Sequence, residues 1–179
     1  MRITLWALLS LLFACGRSRD DSAGAVADSG FIALNKDFAD YETWQKYEIS
    51  DGFVSASHLS GPRTVFINKV PPSGSTTFAQ GTIIVKQTRA GDKPDWDVHA
   101  MVKRGGSFNA EGAAGWEWFD LHHNPDGVPL IRWQGEAAPA GENYASGSGA
   151  VSAGDCNGCH KSAKANDFVQ SAVLQLSGF

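Results

Sequence analysis

Cys156, Cys159 and His160 stand at the spacing Cys-x-x-Cys-His, in which two thiols can add to the two vinyl groups of a haem while the adjacent imidazole binds its iron. A bare Cys-x-x-Cys would also suit a redox disulfide or half of a zinc site. The redox motif, however, opens a helix in a βαβ unit, zinc needs a second ligand pair, and Cys15 is the only other cysteine in the chain. Haem c, covalently attached through Cys156 and Cys159 with His160 on the iron, is the expected cofactor. A chance pattern or a partial metal site is the alternative.

Covalent haem attachment takes place outside the bacterial cytoplasm, so the chain needs an export signal, and its first residues supply one. Arg2 precedes an apolar run over residues 3–14, well short of the roughly twenty residues that span a bilayer. Leu12-Phe13-Ala14-Cys15 resembles the bacterial lipobox, in which the cysteine is diacylated and becomes the new N-terminus, although Phe13 is larger than the residue usual there. If the signal is cut as an ordinary one instead, Cys15 is lost with it or left as a lone thiol. Gly16 after the cysteine resembles lipoproteins sent on to the outer membrane. One cysteine for lipid and two for haem leave none for a structural disulfide. Residues 1–14 thus read as signal peptide, 15–30 as a small, polar, flexible tether, and 31–179 as one domain with one core. A formal charge of −4 without any Lys/Arg cluster argues against nucleic acid or an anionic lipid surface as partner. Membrane association would rest on the lipid anchor alone.

The elements that must hold the motif are mostly strands. Residues 36–47 place Phe38, Tyr41 and Trp44 three apart, with Asn35 or Asp37 available as caps, and predict one amphipathic helix. Short runs rich in β-branched and aromatic residues follow at 52–59, 63–68, 82–88, 96–103, 115–122 and 128–133. Turn-forming residues separate most of them, among them Pro71-Pro72-Ser73-Gly74 and Asn124-Pro125-Asp126-Gly127. The fold class expected is α+β, mainly β: an antiparallel sheet with a few short helices. Residues 134–154 are rich in Gly, Ala and Ser and read as a loop over the haem. A short C-terminal helix, with Asp155 near its start, should carry the haem motif, and residues 167–176 a further one packing Phe168, Val169, Val173 and Leu176.

Neither Met nor His follows His160, so a sixth iron ligand would have to come from Met101, His58, His99, His122, His123 or a lysine upstream. An open sixth position is the simpler expectation. Four-helix cytochromes c′ also carry the motif near the C-terminus, but they need four long helical segments, and only residues 36–47 supply one.

Several segments together resemble the cytochrome P-460 family, which includes the β-sheet cytochromes c′. They are Arg63-Thr64-Val65-Phe66-Ile67, Gly81-Thr82-Ile83-Ile84-Val85-Lys86, Gly115-Trp116-Glu117-Trp118-Phe119, and Cys156 to His160 followed by Lys161 and Asn166-Asp167-Phe168-Val169. The resemblance spans residues 36–179. It implies that Lys86 meets the haem, and in the P-460 members a lysine of this strand is bonded through its nitrogen to a meso carbon of the porphyrin. The β-sheet cytochromes c′ lack that bond, and on composition alone Lys86 would be a solvated strand lysine. Arg63 either hydrogen-bonds a ligand over the distal face or pairs with a carboxylate at a strand end. His99 falls where relatives carry a carboxylate; it is a base near the iron or, the more ordinary case, a histidine with a satisfied hydrogen bond. His122 and His123 alternate in direction at the end of a strand and read as exposed. Trp96, Trp116, Trp118, Phe119 and Trp133 read as core and haem wall.

Two functions follow as expectations. One is oxidation of hydroxylamine or a related small nitrogen compound, with Lys86, Arg63 and His99 as candidate catalytic residues and a redox protein taking the electrons. The other is cytochrome c′-like binding of nitric oxide or a similar gas without turnover. Family members are often homodimers, which makes a homodimer the expectation here, on the periplasmic side and anchored to the outer membrane.

Overall fold

From Arg63 onward the chain carries short, nearly continuous apolar runs such as Val65-Phe66-Ile67 and Ile83-Ile84-Val85, and in an extended chain successive residues of such a run point to opposite faces. The computed structural model, which describes residues 30–49, 61–89, 91–139 and 156–179, shows how that alternation is used. Six strands form one antiparallel sheet in simple sequential order: β1 (Gln45–Ile49), β2 (Arg63–Ile67), β3 (Ile83–Thr88), β4 (Asp97–Lys103), β5 (Trp116–His123) and β6 (Pro129–Gly135). The fold is mainly β, with short helical turns around the sheet. Among the described residues no helix is long and apolar enough to cross a membrane.

Register assigns the faces. Val65 lies opposite Lys86, Lys86 opposite His99, His99 opposite Asp120, and Asp120 opposite Trp133. The same face carries Val65, Ile67, Ile84, Met101, Trp116, Trp118 and Trp133, which form one buried cluster with the C-terminal residues Phe168, Val169, Leu174 and Leu176. The other face carries Phe66, Ile83, Val85, Val98, Ala100, Val102, Phe119 and Leu121, which pack with Ala33, Phe38 and Tyr41 from the N-terminal segment. A sheet covered on both sides explains why every residue of β2 is buried.

The five expected strands from 63–68 to 128–133 are present, with ends shifted by a residue or two. The sixth expected run, 52–59, lies outside the described residues. The β5–β6 reversal is held where expected: Asn124 N–H donates to the Val128 carbonyl at 3.0 Å, Val128 N–H donates to Asn124 Oδ1 at 2.8 Å, and Gly127 takes a φ of 78°.

Two expected helices are not formed. Residues 36–47 instead give two 3₁₀ turns, Asn35–Asp37 and Tyr41–Thr43, and then β1. Spacing of three aligns Phe38 and Tyr41 in a 3₁₀ geometry as well as in an α-helix. Pairing with β2 along all of Gln45–Ile49 then decides the conformation of the remainder. Asp37 Oδ2 does accept from the Leu34 amide at 2.8 Å, whereas Asn35 Oδ1 accepts from Ile131 N–H of β6 at 2.8 Å and so ties the N-terminal segment to that edge strand.

In residues 167–176 the side chain of Asn166 replaces helical bonding. Its Nδ2 donates to the carbonyls of Val169 and Leu174 at 2.7 and 2.8 Å, and its Oδ1 accepts from Leu176 N–H at 2.8 Å. Only Leu176–Gly178 form a 3₁₀ turn. Phe168, Val169 and Leu176 are nevertheless buried as expected, together with Leu174.

His123 is a further correction: it is buried, not exposed, because Phe119, Leu121 and His123 share the face toward the N-terminal cluster. Tyr41 Oη donates to Gln87 Oε1 at 2.7 Å and lies 3.2 Å from His123 Nε2, while Trp96 meets the imidazole edge-on. Burial first, and the Lys93 charge second, hold the His123 pKa below its ordinary value.

Phe38 is fully buried and packs at 5.2 Å on Phe119, so it joins the N-terminal segment to the middle of the sheet. Phe38→Ala is expected to destabilise the fold by about 3–5 kcal/mol, read as a lower midpoint in urea at unchanged slope. A loss below about 1 kcal/mol would show that the N-terminal segment is not part of the cooperative unit.

Candidate functional site

A single α-helical turn, α1 (Cys156–His160), carries both cysteines and the histidine, and a 3₁₀ segment (Lys161–Asn166) continues it. One residue of the motif is its dock. Asn157 Oδ1 accepts from Asn109 Nδ2 at 2.8 Å, from Trp118 Nε1 at 3.1 Å and from Ala113 N–H at 3.1 Å, and Asn157 Nδ2 donates to Asn109 Oδ1 at 3.0 Å and the Glu136 carbonyl at 3.1 Å. The β4–β5 loop is shaped to receive it: a Cβ at Gly112 would collide with the side chains of both Asn109 and Asn157. Through these bonds α1 lies on the sheet face that carries Trp118 and Lys86.

His160 is oriented from two sides. Its ring lies 4.5 Å, centroid to centroid, from that of Trp118 at an interplanar angle of 51°. Its Nδ1–H donates to the Phe168 carbonyl at 2.7 Å, which sets the tautomer and leaves the ring's lone pair on Nε2. Burial pushes its pKa down to about 4; the Phe168 hydrogen bond opposes that shift and the Lys86 charge adds to it. The imidazole is therefore neutral at pH 7, the form that binds a metal.

Phe168 is in turn fixed by Asp167. Both have left-handed backbones, with φ of 65° and 50°, a conformation that costs a non-glycine residue roughly 1–2 kcal/mol. Three groups compensate at Asp167. Lys103 Nζ donates to Oδ1 at 2.7 Å, Phe78 N–H donates to Oδ2 at 2.9 Å, and Trp116 Nε1–H donates to the main-chain carbonyl at 2.7 Å.

Facing α1, the sheet presents a polar group inside its apolar cluster. Lys86, His99 and Asp120 lie in one cross-strand row, and Arg63 and Asp97 fall in the next, on either side of Thr88. His99 Nε2 is 3.3 Å from Asp97 Oδ1 and 3.7 Å from Asp120 Oδ1, and Arg132 Nη1 is 3.2 Å from Asp120 Oδ2. Arg63, Asp120 and Thr88 are buried. Burial pushes the Asp97 carboxyl above its ordinary pKa, with the cations Lys86, Arg63 and Arg132 pulling the other way. Burial is also the largest influence on Lys86, whose pKa falls from 10.5 to about 7; Asp97 opposes the shift, Arg63 reinforces it, and Cys156 opposes it.

Of the residues expected in the site, Lys86, Arg63 and His99 thus share one face with α1, and so do Met101, Trp116, Trp118 and Trp133. Phe119 and Trp96 do not, since they pack in the opposite cluster, where His123 also lies. His58, Cys15, Asp155 and most of the loop over residues 134–154 are outside the described residues. Asp97, Asp120, Asn157 and Asp167 were not anticipated as site residues. Asp97 could have been found, because it stands two positions before His99 on the same strand and must share its face.

The donor set fits a covalently held haem. Two thiols and a neutral imidazole with its outer nitrogen bonded share one turn, against a wall of Val65, Ile84, Met101 and Trp118. Among the described residues no group of three or more His, Cys, Asp or Glu is arranged to hold a bare metal ion. No protein-family model, curated protein or solved structure matches this chain.

Two outcomes follow. The lowered pKa means that the Lys86 amine is uncharged above about pH 7, whereas an ordinary lysine loses its proton near 10.5. Between those values the unfolded chain binds the proton and the folded one does not. The lysine's contribution to stability is therefore complete above pH 10.5 and is lost as pH falls toward 7. Acylation of the haem-free chain, mapped by peptide mass, is expected to show a Lys86 rate rising through a midpoint near 7; a midpoint near 10.5 would contradict the assignment. Asn157→Ala leaves Trp118 Nε1 and the Asn109 amide without their acceptor and is expected to cost about 2–4 kcal/mol, measured by thermal unfolding.

Proposed function

We propose that the chain is an exported mono-haem c-type cytochrome of the cytochrome P-460 kind, with an open sixth iron position, that oxidises hydroxylamine or a related small nitrogen compound. Cys156 and Cys159 would hold the haem and His160 its iron. The observation that carries the reading is that the turn bearing Cys-x-x-Cys-His faces Lys86, Arg63 and His99 across one side of the sheet, with the His160 ligand nitrogen already in the neutral tautomer. Haem supplies, when bound, an iron that takes a nitrogen ligand and passes electrons singly.

The chain's own groups would manage the protons. Oxidising hydroxylamine releases protons along with electrons, and His99, between the carboxylates of Asp97 and Asp120, is the acceptor we assign. Asp97 and Asp120 stabilise the imidazolium that results. Arg63 carries a permanent charge and fits the role of donor to a bound nitrogen or oxygen ligand. Above about pH 7 the Lys86 amine carries the lone pair that a bond to a porphyrin meso carbon requires; forming that bond removes one hydrogen from the nitrogen and one from the carbon and would pass two electrons to an oxidant such as peroxide. Electrons leave to a redox partner protein. Cys15 lipidation, with anchoring to the outer membrane and the homodimer expected of the family, belongs to the same proposal.

The apolar wall of Val65, Ile84, Met101 and Trp118 supports a second reading, capture of nitric oxide without turnover. Anaerobic mixing of holoprotein with hydroxylamine and an electron acceptor separates the two. Turnover well above free haem is expected, with Lys86 bonded to haem by intact mass, and His99→Gln should lower the rate by about 10²-fold or more without altering the ferric spectrum. Turnover no faster than free haem, with an unmodified Lys86 and carbon monoxide binding retained, would leave gas binding as the function.

A further inference from the structure

We infer that the Lys103–Asp167 ion pair is a positioning device for the iron ligand: by holding Asp167 in its left-handed conformation it presents the Phe168 carbonyl to His160 Nδ1–H and so sets the reduction potential of the bound haem. The inference rests on the haem reading above. Its structural part, the tautomer and hydrogen bond of His160, holds whether or not haem is attached.

The device is continuous from sheet to imidazole. Lys103 leaves the end of β4 on the face toward α1, its ammonium 2.7 Å from Asp167 Oδ1, 3.3 Å from the Ala114 carbonyl and 4.9 Å from the centre of the Trp116 ring. Gly115, at φ 81°, leaves the space that Lys103 fills, since a Cβ there would come within 3.2 Å of Lys103 Cε. Asp167 is gripped by both carboxylate oxygens and by its own carbonyl, and no neighbouring residue in sequence supplies any of the three donors. Phe168 follows directly with φ 65°, and its carbonyl accepts from Nδ1 of His160 at 2.7 Å. A residue held from three directions in a sparsely populated conformation marks a constraint that the surrounding structure maintains.

The chemical effect follows from what the carbonyl does to the ring. A strong acceptor on Nδ1–H makes the imidazole more electron-rich at Nε2, which favours Fe(III) over Fe(II). When Asp167 is released, the left-handed pair relaxes and the carbonyl turns away. The ligand becomes a weaker donor and the potential rises.

Full-length chain matured with haem in a bacterial periplasm provides the test. Pyridine denaturation first shows whether wild type carries covalent haem; if it does not, the functional reading fails and the structural part is decided by the last measurement below. Asp167→Asn and Lys103→Met are expected to raise the midpoint potential by the equivalent of roughly tenfold in the Fe(III)/Fe(II) equilibrium, about 59 mV for one electron. Lys93→Met, which breaks a 2.6 Å ion pair to Glu42 elsewhere on the molecule, should leave it unchanged. The double variant Lys103→Met with Asp167→Asn removes both charges together and keeps the fold testable if a single variant does not fold. Independently, nitrogen-15 spectra of the chain as purified should show His160 as the Nδ1–H tautomer with a slowly exchanging proton, and faster exchange in Asp167→Asn. Folded variants with unshifted potential, or a wild-type His160 without that protected proton, overturn the inference.

Discussion

A sheet buried on both faces forces each strand to serve two cores at once, and the two-residue period of the extended chain decides which side chain goes to which. In β3 the consequence is direct: Ile83 and Val85 go to the N-terminal cluster, while Ile84 and Lys86 go to the face covered by the C-terminal segment. A one-residue slip of β3 against β4 would send Lys86 into Phe38 and Phe119 and take Val85 to the motif. The cost of burying the wrong set of side chains is what holds the register. It therefore holds the row Lys86, His99, Asp120 in line as well. The polar group is placed by apolar burial on the opposite side of the same strands.

The C-terminal segment is attached differently, by hydrogen bonds of its polar side chains. Asn157 bonds the side chains of Asn109 and Trp118, the Ala113 amide and the Glu136 carbonyl; Asp167 accepts from Lys103 and from the Phe78 amide; and Asn166 bonds the backbone of Val169, Leu174 and Leu176, which would otherwise have been satisfied by a longer helix. The polar atoms are inside the structure, so each lost partner would leave a buried donor or acceptor at a cost of about 1–3 kcal/mol. That price makes the placement of α1 specific in a way that a greasy contact alone would not be. Five residues of helix cannot hold their own conformation, and here they do not need to.

The same distinction explains what was legible in the sequence. Strands β2 to β6 were readable because β-branched and aromatic enrichment and turn residues are local properties, and both agree with the final sheet. Phe38, Tyr41 and Trp44 misled because spacing of three fits two helical geometries, and the pairing of β1 with β2 was not visible over the 16 residues that separate Thr64 from Glu48. The tail misled because its apolar residues do pack, while Asn166 and Asp167 redirect the backbone. The partners of Asn157, Lys103 and Asp167 lie 48, 64 and 89 residues away, and no spacing rule reaches that far. Lys86 and His99 were visible as residue types. The carboxylates beside His99 required only that alternation be followed two positions further, to Asp97 on its own strand and to Asp120, two beyond Trp118.

Charge balance explains why Lys86, and not Arg63, is the buried cation made neutral. Arg63 and Lys86 are cations on adjacent strands of one buried face, with Asp97 within the field of both. Two unit charges about 4 Å apart interact by roughly 4 kcal/mol at the effective dielectric of a protein surface, so one cation is enough to hold the carboxylate and a second must justify its own desolvation. Guanidinium does not give up its proton in this range, whereas an ammonium does. The proton is therefore shed by Lys86, and burial together with the Arg63 charge outweighs the attraction of Asp97. Exchanging the two residue types between strands would leave a permanent charge opposite His99 and an amine opposite Thr88, and the position beside the motif would lose its amine. The order of residues in β2 and β3 thus determines the reactivity of the face before any cofactor is bound to it.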